Sequence, residues 1–274
     1  MICGHKETPG LFRMICLDLR LAVCSRQFLR ACGWFFGFYL LFMTLFLSVT
    51  GNGFPDVLSE PNLSVLYLME YSTRGLTANL LFLCVLPVLP YGSAVSDDLN
   101  GQSLSLWTVR GGLRRYAISK LLCCAAAGFL LYCVGSLLVI GLGRLFYPLA
   151  QPGSSGGTSY GDLLDSGRTA LYTAVTLLHY GLTGALYAGT GMLVSVFVPN
   201  RCAVCASPVV LFFFANRIVG SVVPALAQVP TWLTDGVFEA GSWGATLGVK
   251  ALAVLLLLCA MGEVMLRKLR RRCG

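Results

Sequence analysis

Long apolar runs separated by short polar segments organise this chain. Six of them, about 33–50, 79–95, 117–143, 169–198, 203–225 and 243–266, approach or exceed the ~20 residues a helix needs to cross a ~30 Å hydrocarbon layer. The pattern predicts an all-α, polytopic membrane protein with six transmembrane helices, built as a single transmembrane domain over 1–274. Residues 11–32, LFRMICLDLRLAVCSRQFLRAC, follow a different rule. At 100° per residue, Arg13, Arg20, Arg26, Gln27 and Arg30 share an arc of about 140°, and Leu11, Ile15, Leu19 and Leu29 lie mainly off it. That predicts an N-terminal interfacial helix lying among headgroups with its apolar face in the acyl boundary. Asp18 does not fit the pattern.

Two polar interruptions break the apolar rhythm in an unusual way. The first, DDLNGQSLSLWTVRGGLRRYAISK over 97–120, starts with paired acids and ends in Arg110, Arg114, Arg115 and Lys120. Asp97 and Asp98 are predicted to cap a short helix, because a carboxylate accepts from free N–H groups and opposes the positive helix end. Leu99, Leu104, Leu106 and Trp107 give that helix an apolar set before Gly111 and Gly112 break the run. Spacing alone fits either a docking element or a loop folded onto the protein's own inner surface. The second interruption, VPALAQVPTWLTDGVFEAGSWG over 223–244, is too polar and proline-broken to span, yet Trp232 and Trp243 suit the membrane–water boundary. It predicts a re-entrant outer element between spans five and six. The remaining outer segments are an acidic loop over 51–78, with Pro55 and Pro61, and a flexible Gly/Ser loop over 151–161.

Charge then sets the orientation. The net charge of +8 suggests a nucleic-acid partner until its distribution is read. Five basic residues precede the first run, four lie in the stretch 97–120, Arg201 lies between runs four and five, and five follow the last. The intervening loops hold Asp56, Glu60, Glu70, Asp162, Asp165, Asp235 and Glu239. This Lys/Arg asymmetry predicts both termini on the cytoplasmic side, with membrane lipid rather than nucleic acid as the partner of the charge. Composition agrees. Charged residues make up 12% of the chain, with mean hydropathy +0.75, against about 25% charged in soluble domains.

Little in the chain points to catalysis. His5 and His179 are its only histidines, so the GSSGG of the outer loop has no positioned base, and no H-E-x-x-H pair is present. None of the twelve cysteines falls in an outer loop, and Cys202-x-x-Cys205 lacks a second ligand pair for zinc. These are read as small packing thiols. Gly184 with Ala188, and Ala185 with Gly189, give small-xxx-small spacings that let helices approach closely. Polar groups at membrane depth are costly and often functional. They are His179, Arg217, Lys250 and Glu263, and Glu263 is expected to pair with Arg267 one turn on. His179 and Arg217 are the candidates for a translocation path or for packing.

The order of elements resembles the membrane subunit of ABC-2-type transporters. It runs basic surface helix, span, outer loop, span, then an acid–Gly–Arg–Tyr-x-x-Ser-Lys segment and four further spans. Here that segment reads Asp98, Gly101, Arg110, Tyr116, Ser119 and Lys120. The resemblance implies a non-catalytic permease subunit of an ATP-driven exporter in a bacterial plasma membrane. It would act as a homodimer, or with a homologous second subunit, on separate cytoplasmic ATPases. It also implies that residues 96–108 form a cytoplasmic coupling helix, with Asp97, Asp98, Leu99, Gly101, Leu104, Leu106, Trp107 and Arg110 at the ATPase. The chain has no G-x-x-x-x-G-K-[ST], so no cofactor is expected in it, and ATP and Mg would sit in the partner. The last outer element lacks the cysteine pair, and the outer loops are too short for a large extracytoplasmic domain. An ion-coupled carrier, and a non-transporting scaffold or immunity component, are the alternatives.

Overall fold

The computed structural model describes residues 11–49, 64–66, 83–104, 112–150, 160–215, 221 and 240–273, with backbone only for 42–49 and 273. The expected outer loop 51–78, the Gly/Ser loop and most of the re-entrant element 223–244 lie outside the described residues. Among those described, the structure is all-helical. In chain order the helices are α1 (Leu11–Val23), α2 (Arg26–Val49), α3 (Ala94–Asn100), α4 (Leu113–Gly143), α5 (Gly161–Asp165), α6 (Thr169–Phe197), α7 (Arg201–Phe214) and α8 (Trp243–Cys273).

Among the described residues, α4, α6 and α8 are long and apolar enough to cross a membrane, and α7 is a shorter apolar helix. Their bounds follow the predicted third, fourth and sixth spans, with α8 continuing helical into its basic tail. Hydrogen bonds gather one end of the molecule. Asn100 Nδ2 donates to the Pro199 carbonyl at 3.1 Å, and Arg272 donates to the Phe197 carbonyl at 3.3 Å. The exposed arginines of α1, α2, the start of α4 and the end of α8 lie at this basic end, while α5 carries exposed Asp162 and Asp165 at the other.

Two expectations about the N-terminal half are corrected. Residues 11–32 are not one helix, because the chain breaks at Cys24–Ser25. The Ser25 hydroxyl accepts from the Phe28 N–H at 3.0 Å and donates to the Ala22 carbonyl at 3.2 Å, so it caps a new helix. The first long helix therefore begins at Arg26 instead of residue 33. The second run, 79–95, is not a regular span where it is described. A 3-10 turn at Leu86–Val88 and further turns to Ser93 replace the helix, since Pro87 and Pro90 lack the N–H a helix requires. Leu83, Cys84, Leu86, Val88 and Tyr91 are all buried. Irregular backbone at membrane depth persists when it is enclosed by protein in this way.

The centre of the molecule is the crossing of α4 and α6. A Cβ on Gly128 would stand 2.5 Å from the Gly184 carbonyl oxygen, and one on Gly184 would stand 2.5 Å from the Gly128 carbonyl oxygen. Cys124 Sγ donates across the same seam to the Ala188 carbonyl at 3.3 Å. The small-xxx-small spacing therefore acts within the subunit, as close backbone packing. Gly189 is likewise filled, by Leu258 of α8, whereas Gly248 faces open space. At the opposite end, α5 stops in a left-handed Gly167 (φ +72°), with the Arg168 N–H on the Leu163 carbonyl and the Gly167 N–H on the Leu164 carbonyl. This turn directs the chain into α6.

The two classes of glycine predict opposite outcomes. Gly184→Ala forces backbone apart and should destabilise the detergent-solubilised protein by about 1–3 kcal/mol. Gly248→Ala, in open space on a helix, should leave the midpoint unchanged or raise it slightly. Thermal unfolding of both variants checks this.

Candidate functional site

The Tyr-x-x-Ser-Lys stretch explains itself once α4 forms. Tyr116, Ser119 and Lys120 are spaced i, i+3, i+4 and share one helix face. All three are buried. On one side of this face lies α1. Asp18, the residue that violated the amphipathic pattern, sits at the centre of the face that α1 presents to the protein, between buried Met14 and Ala22. Its two oxygens accept from Tyr91 Oη and Ser119 Oγ, each at 2.6 Å. On the other side lies α3. Asp98 accepts from Tyr116 Oη at 2.7 Å and from Ser103 Oγ at 2.9 Å.

Lys120 joins the two halves. Its ammonium stands 3.3 Å from Asp18 Oδ1 and 3.3 Å from Asp98 Oδ2, and donates to Tyr91 Oη at 2.9 Å. The rings of Tyr91 and Tyr116 lie 5.1 and 5.6 Å from the same nitrogen, within range of a cation–π attraction. One lysine of α4 thus ties the surface helix and the 94–104 segment into one rigid unit. A second pair, Asp97 with Arg201, links the segment to the α6–α7 turn at 2.8 Å, but its partners are 38% and 66% exposed. The Asp97 carboxylate, by hydrogen bond and charge, holds the Arg201 guanidinium above its ordinary value. Solvent screening leaves such a pair only a small contribution to stability. The buried bridge is the stronger structural element.

Several expectations for residues 96–108 are revised here. The helix runs from Ala94 to Asn100, because Gly101 caps it and Gln102 takes a left-handed φ of 54°. Asp97 and Asp98 do not cap it; their oxygens are engaged by Ser93, Arg201, Ser103, Tyr116 and Lys120. Leu104 is 7% exposed and belongs to the protein's own core, with Leu99 half-buried against the same cluster. The described part of the segment is folded onto its own basic end. Asn100, Gly101 and Gln102 form its exposed tip. Leu106, Trp107 and Arg110 lie outside the described residues.

A second polar cluster lies where α6 and α8 meet. Lys250 is 2% exposed and His179 4% exposed. Lys250 Nζ stands 2.7 Å from His179 Nε2 and donates to Thr183 Oγ1 at 2.9 Å, while Tyr160 Oη stands 3.0 Å from His179 Nδ1. Both imidazole nitrogens of His179 are engaged, Nε2 by Lys250 and Nδ1 by Tyr160. Thr183 in turn donates to the His179 carbonyl at 3.2 Å. The cluster joins two membrane-crossing helices through a charge and an imidazole. His179 is thus a hydrogen-bonded histidine. Arg217 lies outside the described residues. Glu263 pairs with Arg267 at 3.0 Å, one turn on, as expected from spacing.

The residues that sequence reasoning passed over are Asp18, Tyr91, Tyr160 and Thr183, together with the weight carried by Lys250. Asp18 had a readable signal, an acid opposite the arginines of a basic helix. Tyr91, Tyr160 and Thr183 had none, since their partners are 73, 19 and 67 positions away. The buried thiols of Cys123 and Cys124 donate to backbone carbonyls, in keeping with packing thiols. Compared with known protein families, curated proteins and solved structures, the chain matches none.

The two ion pairs at the basic end should respond very differently to mutation. Asp18→Asn leaves Lys120 short of a buried carboxylate and should cost about 3 kcal/mol. Arg201→Gln, at an exposed and screened pair, should leave the midpoint nearly unchanged. Denaturation midpoints in a single detergent compare them directly. Lys250→Ala strips donors from His179 and Thr183, and the same measurement should show a loss of about 1–3 kcal/mol.

Proposed function

We propose that this chain is the membrane-spanning permease subunit of an ATP-driven exporter of the ABC-2 type. The carrying observation is the buried Asp18–Lys120–Asp98 bridge, which fastens the N-terminal surface helix and the 94–104 segment to one face of α4. A segment that is to relay force needs a rigid link to a long helix, and this bridge supplies one. The basic end is the cytoplasmic side in this reading, by the Lys/Arg excess. In this reading α2, the irregular second run and the run begun by α7 supply the other three of six crossings. Two such chains, identical or homologous, enclose the path, and a separate ATPase binds each 94–104 segment. ATP and Mg reside in that ATPase.

The docking surface in this proposal is the exposed tip Asn100–Gln102, since Leu104 is turned inward. When the ATPases close on ATP, the push enters at the tip, passes through α3 to Lys120, and moves α4 and α1 together. The α4–α6 seam then transmits it to α6 and α8. Short outer loops favour export over capture from outside.

A pull-down of the tagged full chain from its native membranes in mild detergent tests this. A soluble Walker-motif ATPase should co-purify in about equal copy number. Gln102→Asp, which keeps a residue type tolerant of positive φ, should reduce its recovery at least tenfold without lowering the yield of folded chain. Intact chain with no ATPase would sink the proposal.

One observation favours a second reading, an ion-coupled carrier. Lys250 and His179 form a buried titratable pair between membrane-crossing helices, where such groups mark ion or proton pathways. In that case no ATPase co-purifies, and in proteoliposomes an imposed pH gradient is dissipated by the wild type but not by His179→Gln.

A further inference from the structure

Among the described residues, the basic end carries more positive charge than its carboxylates neutralise. Among its described carboxylates, Asp18 and Asp98 are held by Lys120, Asp97 by Arg201 and Glu263 by Arg267. None of the ion pairs among the described residues uses Arg13, Arg20, Arg26 or Arg30, and all four are exposed. The surroundings of these arginines are apolar. Phe12 is 81% exposed, Leu21 61% and Leu29 69%, and Leu17 beside them is half exposed. This helix cannot roll to hide them, because Asp18 on its opposite face is fixed to Tyr91, Ser119 and Lys120.

Depth is set by α4. Asp18 lies level with Ser119, and the Ile15 carbonyl lies 3.4 Å from Cys123 Sγ. At that level the surface of α4 changes from exposed Arg114 and Arg115 to exposed Ile118 and Leu122. The surface of α4 passes from basic to apolar where α1 is anchored, so the exposed face of α1 stands at headgroup depth.

We propose that α1 and the first turns of α2 form a binding surface for anionic phospholipid, with Arg13, Arg20, Arg26 and Arg30 holding headgroup phosphates. Arginine suits this position, because its planar fork takes a phosphate through two N–H donors and its stem lies along apolar chains. The inference rests on the membrane reading alone, and its test needs no ATPase, so the two proposals fail separately.

The test uses the purified full chain in a detergent with an uncharged headgroup, titrated with phosphatidylglycerol or with phosphatidylcholine of the same acyl chains. Bound lipid is counted by native mass spectrometry. Phosphatidylglycerol should be retained over phosphatidylcholine. Arg13→Gln and Arg20→Gln should each weaken its binding about fivefold, the effect of one basic group at an anionic surface, while the Lys variants keep most of it. Inorganic phosphate at millimolar concentration should not displace the lipid. Equal retention of the two lipids overturns the proposal, as does unaltered binding by the Gln variants or displacement by free phosphate. Where the Gln variants fail to fold, salt titration of the wild type decides: phosphatidylglycerol binding that is insensitive to salt overturns it.

Discussion

Lys120 stands between Asp18 and Asp98 at 3.3 Å from each, with its side chain 8% exposed. The architecture of the basic end depends on that contact. A charge this far from water is tolerated only when counter-charges and hydrogen bonds replace its hydration. The carboxylates come from two separate stretches of chain, one 102 positions before Lys120 and one 22 before it. Folding must therefore bring α1 and α3 to the same face of α4 before the lysine can be buried. The tyrosines and serines around it satisfy the remaining oxygens, and the result is a single rigid corner. Tyr91 ends the irregular second run, so the bridge also fixes where that run leaves the interior.

The contact between α4 and α6 plays the equivalent part at the centre. In lipid, apolar side chains gain little by leaving one apolar medium for another, and close backbone approach supplies the attraction instead. Gly128 and Gly184 stand carbonyl to Cα with no room for a methyl group between them. That proximity brings His179 and Thr183 of α6 to the side where α8 delivers Lys250. The polar cluster there is a consequence of the seam. It adds a directional tie between helices whose packing is otherwise nonspecific.

These two features divide the molecule by purpose. The basic end is held by charge, and its exposed remainder, arginines among apolar residues, is suited to contact with something outside the chain. The interior is held by close packing, and Lys250 is buried there against His179 and Thr183 of α6. Lys120 joins the 94–104 segment to α4, and the glycine seam joins α4 to α6.

The sequence by itself determined the membrane class, the three long spans, the basic and acidic ends, and the i, i+4 pair of Glu263 and Arg267. Each of these rests on composition or on neighbours within one helix, where 3.6-residue periodicity and span length suffice. It also marked the important stretch, 97–120, and the small-residue face of α6. The tertiary structure alone decided what those signals were for. Asp18 looked like an error in an amphipathic helix until α4 supplied its partners. Leu104 looked available for docking until the core enclosed it. Lys250 acquired its imidazole partner from a helix 71 positions away. The break at Ser25 and the unwound second run had local causes, a capping hydroxyl and two prolines. Their outcome still depended on packing, because a serine or proline in an apolar run bends the chain only where the surrounding protein satisfies the backbone it frees. Hydropathy measures preference for lipid and is silent about which buried polar atoms will meet.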